Sequence, residues 1–305
     1  AANSATAAVV SRYRGTCGVG SAGMRAKLTA GPTPRGGVWM CTNGPECGQP
    51  APSDAQNVDD PMQTRVSAGS GTRGESPTRT RPVTSVHYVR AMDRVLVAPH
   101  GPVAYADLGP RSALPVLLVH GFPHDRGVWR RQREAVGEAL DGIRLLLPDL
   151  PGFGGSAPLE TPSMDAYADT IAAVLDHAEI ERAVVGGLSM GGYVSFAVWR
   201  RHAARVRALV LCDTKAGADT DAAREKRRAL IAEKQLPAQL GPTTRTTAPA
   251  LVDEVATMLR RAPVRGITDA LTAMMARPDS TATLDTITVP TLVIVGAEDD
   301  VTPVA

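Results

Sequence analysis

Ser189 has a glycine two residues before it and two residues after it, in the sequence Gly-Leu-Ser-Met-Gly of residues 187–191. An apolar run precedes this motif and a helix-compatible stretch follows it. A serine on so sharp a turn between strand and helix has a strained backbone, and its close neighbours must be glycine. The turn raises the hydroxyl above the sheet and aims the Met190 N–H at developing negative charge. The motif therefore predicts a serine nucleophile, which needs an adjacent base to react.

The elements that must position this serine begin at Met92. Residues 94–98 and 103–107 are predicted to be two strands around a turn. Five further apolar runs have the length of strands buried on both faces. They are residues 116–119, 143–147, 183–186, 206–211 and 291–295. Helix-compatible stretches separate them, so the pattern predicts a mostly parallel, twisted α/β sheet flanked by helices.

Two other segments differ from this alternating pattern. Residues 1–85 contain 12 Gly and 8 Pro but one Leu and no Ile or Phe, which leaves too little apolar surface to offset the entropy of ordering. We therefore predict that residues 1–91 are a disordered Gly/Pro/Arg/Ser-rich extension, with the natural start of the protein at or near Met92. Residues 215–285 are charged and helical in character, and they predict a lid over the carboxyl ends of the strands.

Composition limits the classes of partner. The 33 basic and 31 acidic residues nearly balance, which gives no support for a nucleic-acid partner. No apolar run approaches the roughly 20 residues of a membrane-spanning helix, and no secretory signal opens the chain. The four cysteines form neither a disulfide framework nor a metal-ligand pattern. We expect a cytoplasmic protein with no membrane partner, no metal and no cofactor. The oligomeric state is open.

Four motifs occur in a fixed order between Met92 and Ala305. They are His-Gly-Phe-Pro at residues 120–123, Asp-Leu-Pro-Gly-Phe-Gly-Gly-Ser at 149–156, the serine motif, and Gly-Ala-Glu-Asp-Asp-Val-Thr-Pro at 296–303. As a set they resemble the α/β-hydrolase fold family. Residues 187–193 and 211–220 look most similar to 3-oxoadipate enol-lactonases and related carboxylesterases. This resemblance implies a core of residues 92–214 and 286–305 with a helical lid at 215–285.

The resemblance also assigns roles around the serine. Ser189 would attack a carbonyl carbon, and the backbone N–H groups of Phe122 and Met190 would form the oxyanion hole. His124 and Trp129 follow the oxyanion loop and are the predicted substrate contacts. Five lid residues could line an apolar acyl pocket or simply pack against the core. They are Leu240, Met258, Leu271, Met274 and Met275.

The sequence offers two candidates for the catalytic acid and no histidine at the place expected for the base. The resemblance implies Asp299 as the acid, with Asp213 at the end of the preceding strand as the rival position. In this family the chain order is serine, acid, then histidine. All six histidines precede Asp299, so we expect the catalytic histidine, a strand and a helix beyond Ala305. On that expectation the chain as given is a fragment with little activity.

The predicted function is hydrolysis of a carboxylic ester or lactone through an acyl-enzyme. Two alternatives remain open at this point. One is a cofactor-free perhydrolase or haloperoxidase with the same catalytic groups, and the other is a non-catalytic receptor that uses the same pocket. A haloalkane dehalogenase is disfavoured because its nucleophile is an aspartate, whereas Ser189 occupies that place.

Overall fold

The structure is a computed structural model, and it describes residues 26–32, 37–43, 92–136, 142–233 and 239–302. The described residues form one sheet of nine strands. The strands are β1 (Ala26–Pro32), β2 (Gly37–Asn43), β3 (Met92–Ala98), β4 (Gly101–Leu108), β5 (Leu114–Val119), β6 (Ile143–Pro148), β7 (Ala183–Leu188), β8 (Val206–Cys212) and β9 (Thr291–Val295). Their order across the sheet is β1-β2-β9-β8-β7-β5-β6-β4-β3.

The middle of this sheet is parallel, as the alternating pattern predicts. Strands β6, β5, β7, β8 and β9 pair in parallel, while β4 pairs antiparallel with β6 and β3 antiparallel with β4. Parallel strands place their carboxyl ends at one edge of the sheet, where loops carry functional residues. The turns after β5, β7, β8 and β9 therefore share that edge.

Helices connect and cover the strands. They are α1 (Arg130–Ala135), α2 (Met164–His177), α3 (Met190–His202), α4 (Asp221–Glu233), α5 (Pro242–Thr247), α6 (Pro249–Arg261), α7 (Val264–Ala276) and α8 (Thr281–Leu284). Ser163 caps α2 by accepting the Ala166 N–H at 3.0 Å, as its residue type predicts. Among the described residues, no helix is both long and apolar enough to cross a bilayer.

Strands β1 and β2 lie inside the segment that the composition predicts to be disordered. The structure gives strand conformation to residues 26–32 and 37–43, with β2 parallel to β9 and β1 antiparallel to β2. This differs from the expectation for those two ranges. Val38, Trp39 and Thr42 are residue types enriched in strands, and the free edge of β9 offers unpaired backbone groups. The remainder of residues 1–91 lies outside the described residues.

The lid segment is helical, with α4 to α7 inserted between β8 and β9. Helix α7 packs most deeply, because Ala270, Leu271, Ala273 and Met274 belong to the main hydrophobic core together with Phe122 and Met190. Met258 on α6 is also buried. Leu240 and Met275 are half-buried. Of the five lid residues considered for an acyl pocket, Leu271 and Met274 are thus core residues.

Candidate active site

The turn between β7 and α3 has the strained geometry that the serine motif predicts. Ser189 adopts φ 51° and ψ −109°, a left-handed region that non-glycine residues rarely enter. A Cβ at Gly187 would lie 2.0 Å from the Gly191 carbonyl oxygen, and a Cβ at Gly191 would lie 2.3 Å from that of Val119. Glycine is therefore required on both sides of the serine by direct backbone contact.

The hydroxyl of the predicted nucleophile and the predicted oxyanion donors make no hydrogen bond to any residue that the structure describes. The half-buried Ser189 hydroxyl has no hydrogen bond within the described part of the chain. The N–H groups of Phe122 and Met190, the predicted oxyanion donors, also have no acceptor among the described residues. The loop after β5 lies against the elbow, since a Cβ at Gly121 would be 3.1 Å from the Leu188 carbonyl oxygen. The arrangement leaves donors next to the nucleophile with unused hydrogen-bonding capacity.

His120 holds this loop in place and is not free to act as a base. Its Nε2 accepts the Leu150 N–H at 2.9 Å, so Nδ1 carries the proton and donates to the Gly121 carbonyl oxygen at 2.9 Å. Complete burial lowers the pKa of His120 and keeps the ring neutral. His120 is not among the predicted catalytic residues, and its two hydrogen bonds are structural.

The two predicted substrate contacts lie in different surroundings. His124 is buried, its side chain hydrogen-bonds Gln239, and its Nδ1 has no partner among the described residues. Burial, followed by the neighbouring His120, lowers the pKa of His124 to about 4, so the ring is neutral. Trp129 belongs to a smaller core cluster, against which Leu188 packs. This placement gives Trp129 a packing role, and contact of either side chain with substrate stays a prediction.

The loop after β9 fixes Asp299 through its own backbone. Asp299 Oδ1 accepts the N–H groups of Val301 at 2.8 Å and Thr302 at 2.9 Å, and the Thr302 hydroxyl donates to Oδ2. Partial burial pushes the pKa of this carboxyl up, but the hydrogen bonds outweigh burial and hold it below its usual range. Asp299 is therefore ionised and oriented at neutral pH.

The rival acid, Asp213, lies beside Asp299 rather than elsewhere in the molecule. It follows β8 in a left-handed conformation with φ 42°, and its Oδ1 accepts the Gly296 N–H at 2.7 Å. The side chains of Asp213 and Asp299 both lie beside Gly296, and burial raises the pKa of Asp213. The two alternative positions for the acid thus lie close together at the ends of neighbouring strands.

No described histidine contacts this pair. His177 bonds the Tyr105 hydroxyl and His202 bonds Asp169, both at 2.8 Å. His100 lies in the β3–β4 turn, and His87 is outside the described residues. The described part of the chain therefore brings together the predicted nucleophile, oxyanion donors and acid but supplies no base for them.

The loop of residues 149–156 is held in place by hydrogen bonds and an ion pair. Asp149 accepts the Gly155 N–H at 2.9 Å and pairs with the Arg126 guanidinium at 2.6 Å. The Ser156 hydroxyl donates to the Asp149 carbonyl oxygen at 2.8 Å and accepts the Ala104 N–H at 2.9 Å. These bonds join the loop to itself, to Arg126 and to Ala104, and they indicate a structural turn.

A charged cluster outside the predicted site joins the lid to α3. We call it the lid base and define it as Asp219, Arg227, Arg277 and Tyr193. Asp219 pairs with Arg227 Nε at 2.6 Å and with Arg277 Nη1 at 2.8 Å. The Arg277 guanidinium lies 4.0 Å from the centre of the Tyr193 ring. Burial would raise the pKa of Asp219, but the two arginines outweigh it and lower the pKa. No motif connects these four residues in sequence, so only their folded positions reveal the cluster.

The outer part of the lid meets the core through exposed charges. Arg130 makes a two-bond contact with Glu254 of α6 at 2.8 and 2.9 Å, and Arg261 lies 3.6 Å from Asp125. We call these two pairs the outer-lid contacts. A cleft of about 780 Å³ lies between α6 and the segment around α1, and charged side chains of both line it. Ser189 is not among its lining residues.

Known proteins resemble this chain in sequence and in fold. The profile of the family described as alpha/beta hydrolase fold matches residues 115–248. A thermophilic esterase from Thermogutta terrifontis, a solved structure, is 38% identical with a TM-score of 0.63, covering 70% of this chain and 83% of that one. 3-Oxoadipate enol-lactonase 1 from Acinetobacter baylyi is 26% identical over 64% of this chain and 75% of its own length.

Another curated relative matches more closely but over a shorter stretch. The dihydrolipoyllysine-residue acetyltransferase component of the acetoin cleaving system from Pseudomonas putida is 38% identical over 106 residues. That match covers 34% of this chain, and the chain spans only 28% of the relative's length.

Proposed function

Because the chain belongs to the α/β-hydrolase fold family, we propose that it is a serine hydrolase that cleaves a carboxylic ester or lactone through an acyl-enzyme. The observation that carries this proposal is the strained Ser189 turn, whose hydroxyl, like the N–H groups of Phe122 and Met190, has no hydrogen-bond partner among the described residues. Strain of this kind persists where surrounding structure enforces it, and it clusters at active sites.

The proposed reaction has two halves. The Ser189 hydroxyl attacks the substrate carbonyl carbon, and a histidine takes the hydroxyl proton. The N–H groups of Phe122 and Met190 donate to the oxygen as it gains negative charge, which typically contributes roughly 10²–10³-fold in rate per donor. The alcohol or the ring oxygen leaves with a proton from the histidine, and water then hydrolyses the acyl-enzyme. Asp299 orients the histidine and stabilises its charged form.

The histidine is assigned by resemblance to a position after Asp299, outside the described residues. The bonds from Val301 and Thr302 leave Asp299 ionised, which suits a group that must stabilise an imidazolium. Neutral His120 is already bonded on both nitrogens, so it supports the loop rather than the proton transfer.

The substrate class rests on two kinds of support. Phe122 and Met190, whose N–H groups are the proposed oxyanion donors, belong to the same hydrophobic core as Leu271 and Met274 of α7, so their side chains have apolar surroundings. The esterase and the enol-lactonase among the similar proteins act, by their names, on esters and lactones. An ester or lactone with an apolar acyl portion is therefore the first class to screen.

The test compares Ser189→Ala with Ser195→Ala in the full gene product. Ser195 lies in the same helix but is buried and donates to the Gly191 carbonyl oxygen at 2.9 Å, so its loss leaves the nucleophile in place. We expect Ser189→Ala to lower kcat for a short-chain ester by at least about 10³-fold and to abolish labelling by a fluorophosphonate. Ser195→Ala should remain labelled.

Other outcomes identify the alternatives. Turnover that persists in Ser189→Ala contradicts the nucleophile assignment. Peroxide-dependent halide oxidation by the wild type, lost in Ser189→Ala, indicates a perhydrolase. Ligand binding without labelling in the wild-type gene product indicates a non-catalytic receptor.

A further inference from the structure

The carbonyl oxygen of Ser189 is held from two directions. It accepts the Gly192 N–H at 2.9 Å, within the first turn of α3. It also accepts the Thr214 hydroxyl at 2.8 Å, from the turn after β8 and 25 residues along the chain. A carbonyl oxygen has two lone pairs, so both of its acceptor positions are used.

This carbonyl belongs to the same peptide group as one of the proposed oxyanion donors. The Ser189 carbonyl and the Met190 N–H share one trans peptide bond, and such a bond is planar and directs its oxygen and its hydrogen to opposite sides. The Met190 N–H has no acceptor among the described residues. A donor that fixes the carbonyl oxygen on one side therefore fixes the direction of the N–H on the other.

The Ser189 backbone needs such support because its conformation is unfavourable. With φ 51° and ψ −109°, it persists only where the surrounding structure enforces it. The Ser189 N–H donates to the Cys212 carbonyl oxygen at 2.8 Å, so the end of β8 and the turn after it hold the nucleophile on both its amide and its carbonyl side. Rotation of the next peptide group toward a commoner conformation would turn the Met190 N–H away from the oxyanion.

The turn that carries Thr214 is itself fixed to β9 and to the loop after it. The Asp213 N–H donates to the Ile294 carbonyl oxygen at 2.8 Å, and Asp213 Oδ1 accepts the Gly296 N–H at 2.7 Å. The half-buried Thr214 side chain also packs against α3, since a Cβ at Gly192 would lie 2.3 Å from its hydroxyl oxygen and 2.5 Å from its methyl carbon. The hydroxyl is thus presented to the Ser189 carbonyl from an anchored turn.

We propose that Thr214 is a positioning residue that aims the Met190 N–H at the oxyanion. Its hydroxyl holds the Ser189 carbonyl oxygen, and the planar peptide group transmits this constraint to the N–H on its opposite edge. The same bond polarises the peptide group and makes its N–H a stronger donor. Thr214 acts through this peptide group and needs no contact with the substrate. The inference rests on the proposed function, because the direction of this N–H matters only where an oxyanion forms.

The deciding experiment compares Thr214→Val with Thr214→Ser in the full gene product. Valine keeps the branched shape that packs against Gly192 but lacks the hydroxyl, whereas serine keeps the hydroxyl. The Gly192 N–H still bonds the carbonyl oxygen in both variants, so neither leaves that acceptor without a donor. Thr170→Val is the matched control, because the Thr170 hydroxyl donates to the Ala166 carbonyl oxygen at 3.0 Å within α2.

We expect Thr214→Val to lower kcat for a short-chain ester about 10–100-fold, with KM little changed. The affinity for a trifluoromethyl ketone, whose adduct with Ser189 carries an oxyanion, should fall by a similar factor. Thr214→Ser should stay within a few-fold of the wild type in both measurements, and Thr170→Val should match the wild type. Equal losses in the valine and serine variants, wild-type kcat in Thr214→Val, or a loss confined to KM overturns the inference.

A measurement without turnover follows the peptide group itself. In protein labelled with ¹⁵N-methionine, the Met190 amide resonance should move in Thr214→Val and return close to its wild-type position in Thr214→Ser, because a hydrogen bond to a carbonyl changes the electron density at the N–H of the same peptide group. A Met190 resonance that does not move in Thr214→Val overturns the inference. If valine prevents folding, alanine replaces it in both experiments, since alanine and serine differ only in the hydroxyl.

Failure of the proposed function is distinguishable from failure of this inference. The first shows as wild-type protein without Ser189-dependent turnover, and it removes the catalytic role of Thr214 together with that of the oxyanion hole. The second shows as turnover that depends on Ser189 but not on the Thr214 hydroxyl. The Met190 resonance decides in either case whether Thr214 fixes the peptide group.

Discussion

The lid base and the outer-lid contacts are both built from arginines and carboxylates, yet they differ in burial. Side chains of Arg277 and Asp219 at the base are 3% and 0% exposed, whereas Arg130 and Glu254 in the outer lid are 48% and 32% exposed. Breaking a buried pair leaves a charge without solvent or partner and costs several kcal/mol. Exposed pairs contribute about 0–1 kcal/mol and are screened by salt.

The difference in burial between the two sets of ion pairs identifies the part of the lid that is fixed. Arg277 also donates to the carbonyl oxygens of Met274 and Gly217, both at 2.8 Å, so it ties the entry and the exit of the lid to each other. The Tyr193 ring beneath it belongs to α3, the helix that Ser189 begins. The base therefore anchors the lid to the helix that follows Ser189, and the outer helices are held by weaker, exposed ion pairs.

The largest expected effect comes from breaking the base with Arg277→Met. The substitution leaves Asp219 buried beside Arg227 alone and removes the contact with Tyr193, so we expect a loss of roughly 3–5 kcal/mol in the free energy of unfolding. Arg261→Met is the matched control, because that side chain is 63% exposed, and it should cost less than about 1 kcal/mol. Urea unfolding followed by circular dichroism measures both. Similar losses in the two variants would remove the distinction between base and outer lid.

A smaller effect is expected where α7 meets the core without any charge. A Cβ at Gly266 would lie 2.0 Å from the Gly152 carbonyl oxygen, whereas one at Gly217 would meet only the Asp279 carboxylate at 3.9 Å. Gly266→Ala should therefore destabilise the protein by roughly 1–3 kcal/mol through overpacking, despite the better helix propensity of alanine. Gly217→Ala should be neutral or slightly stabilising. A neutral Gly266→Ala in thermal or urea unfolding would show that α7 is loosely packed.

The smallest effect is expected for Glu254→Gln in the outer lid. The hydrogen bond from Arg130 lowers the pKa of Glu254, so its contribution is present above the ordinary glutamate pKa and fades as the pH falls below it. We expect a loss under about 1 kcal/mol at low salt and pH 7, with wild type and variant converging in 0.5 M NaCl. Unfolding at two salt concentrations measures this. A salt-independent loss of several kcal/mol would assign the outer lid the same structural role as the base.

Much of the fold could be predicted because its signals are local. Runs of apolar residues fix the central strands, and the α/β-hydrolase fold predicted from four motifs is confirmed by the family profile and by the similar solved structures. The Ser189 turn was predictable in part for the same reason: the contact that demands glycine at 187 is made with Gly191 and Gly192, within the turn itself. The contact that demands glycine at 191 is made with Val119 and His120 of the loop after β5, so only the tertiary structure reveals it.

Other features have no local signature. Asp213 and Asp299 are competing positions in the sequence, and the parallel pairing of β8 with β9 brings both beside Gly296. The place of Trp129 in the smaller core cluster is likewise set by residues distant in sequence, and its contact with substrate stays a prediction. The predicted disorder of residues 1–91 differs from the structure at β1 and β2, because pairing with β9 is a non-local event.

The sequence alone determined which residue types could act and the turn that presents Ser189, because steric limits between near neighbours leave few conformations. The tertiary structure decided that hydrogen bonds keep Asp299 ionised and that both ring nitrogens of His120 are hydrogen-bonded. It also decided where the lid is anchored. Those outcomes depend on burial and on hydrogen-bond partners up to 83 residues apart, as between Asp213 and Gly296. Charge and protonation follow the surroundings that folding creates, and no stretch of sequence contains those surroundings by itself.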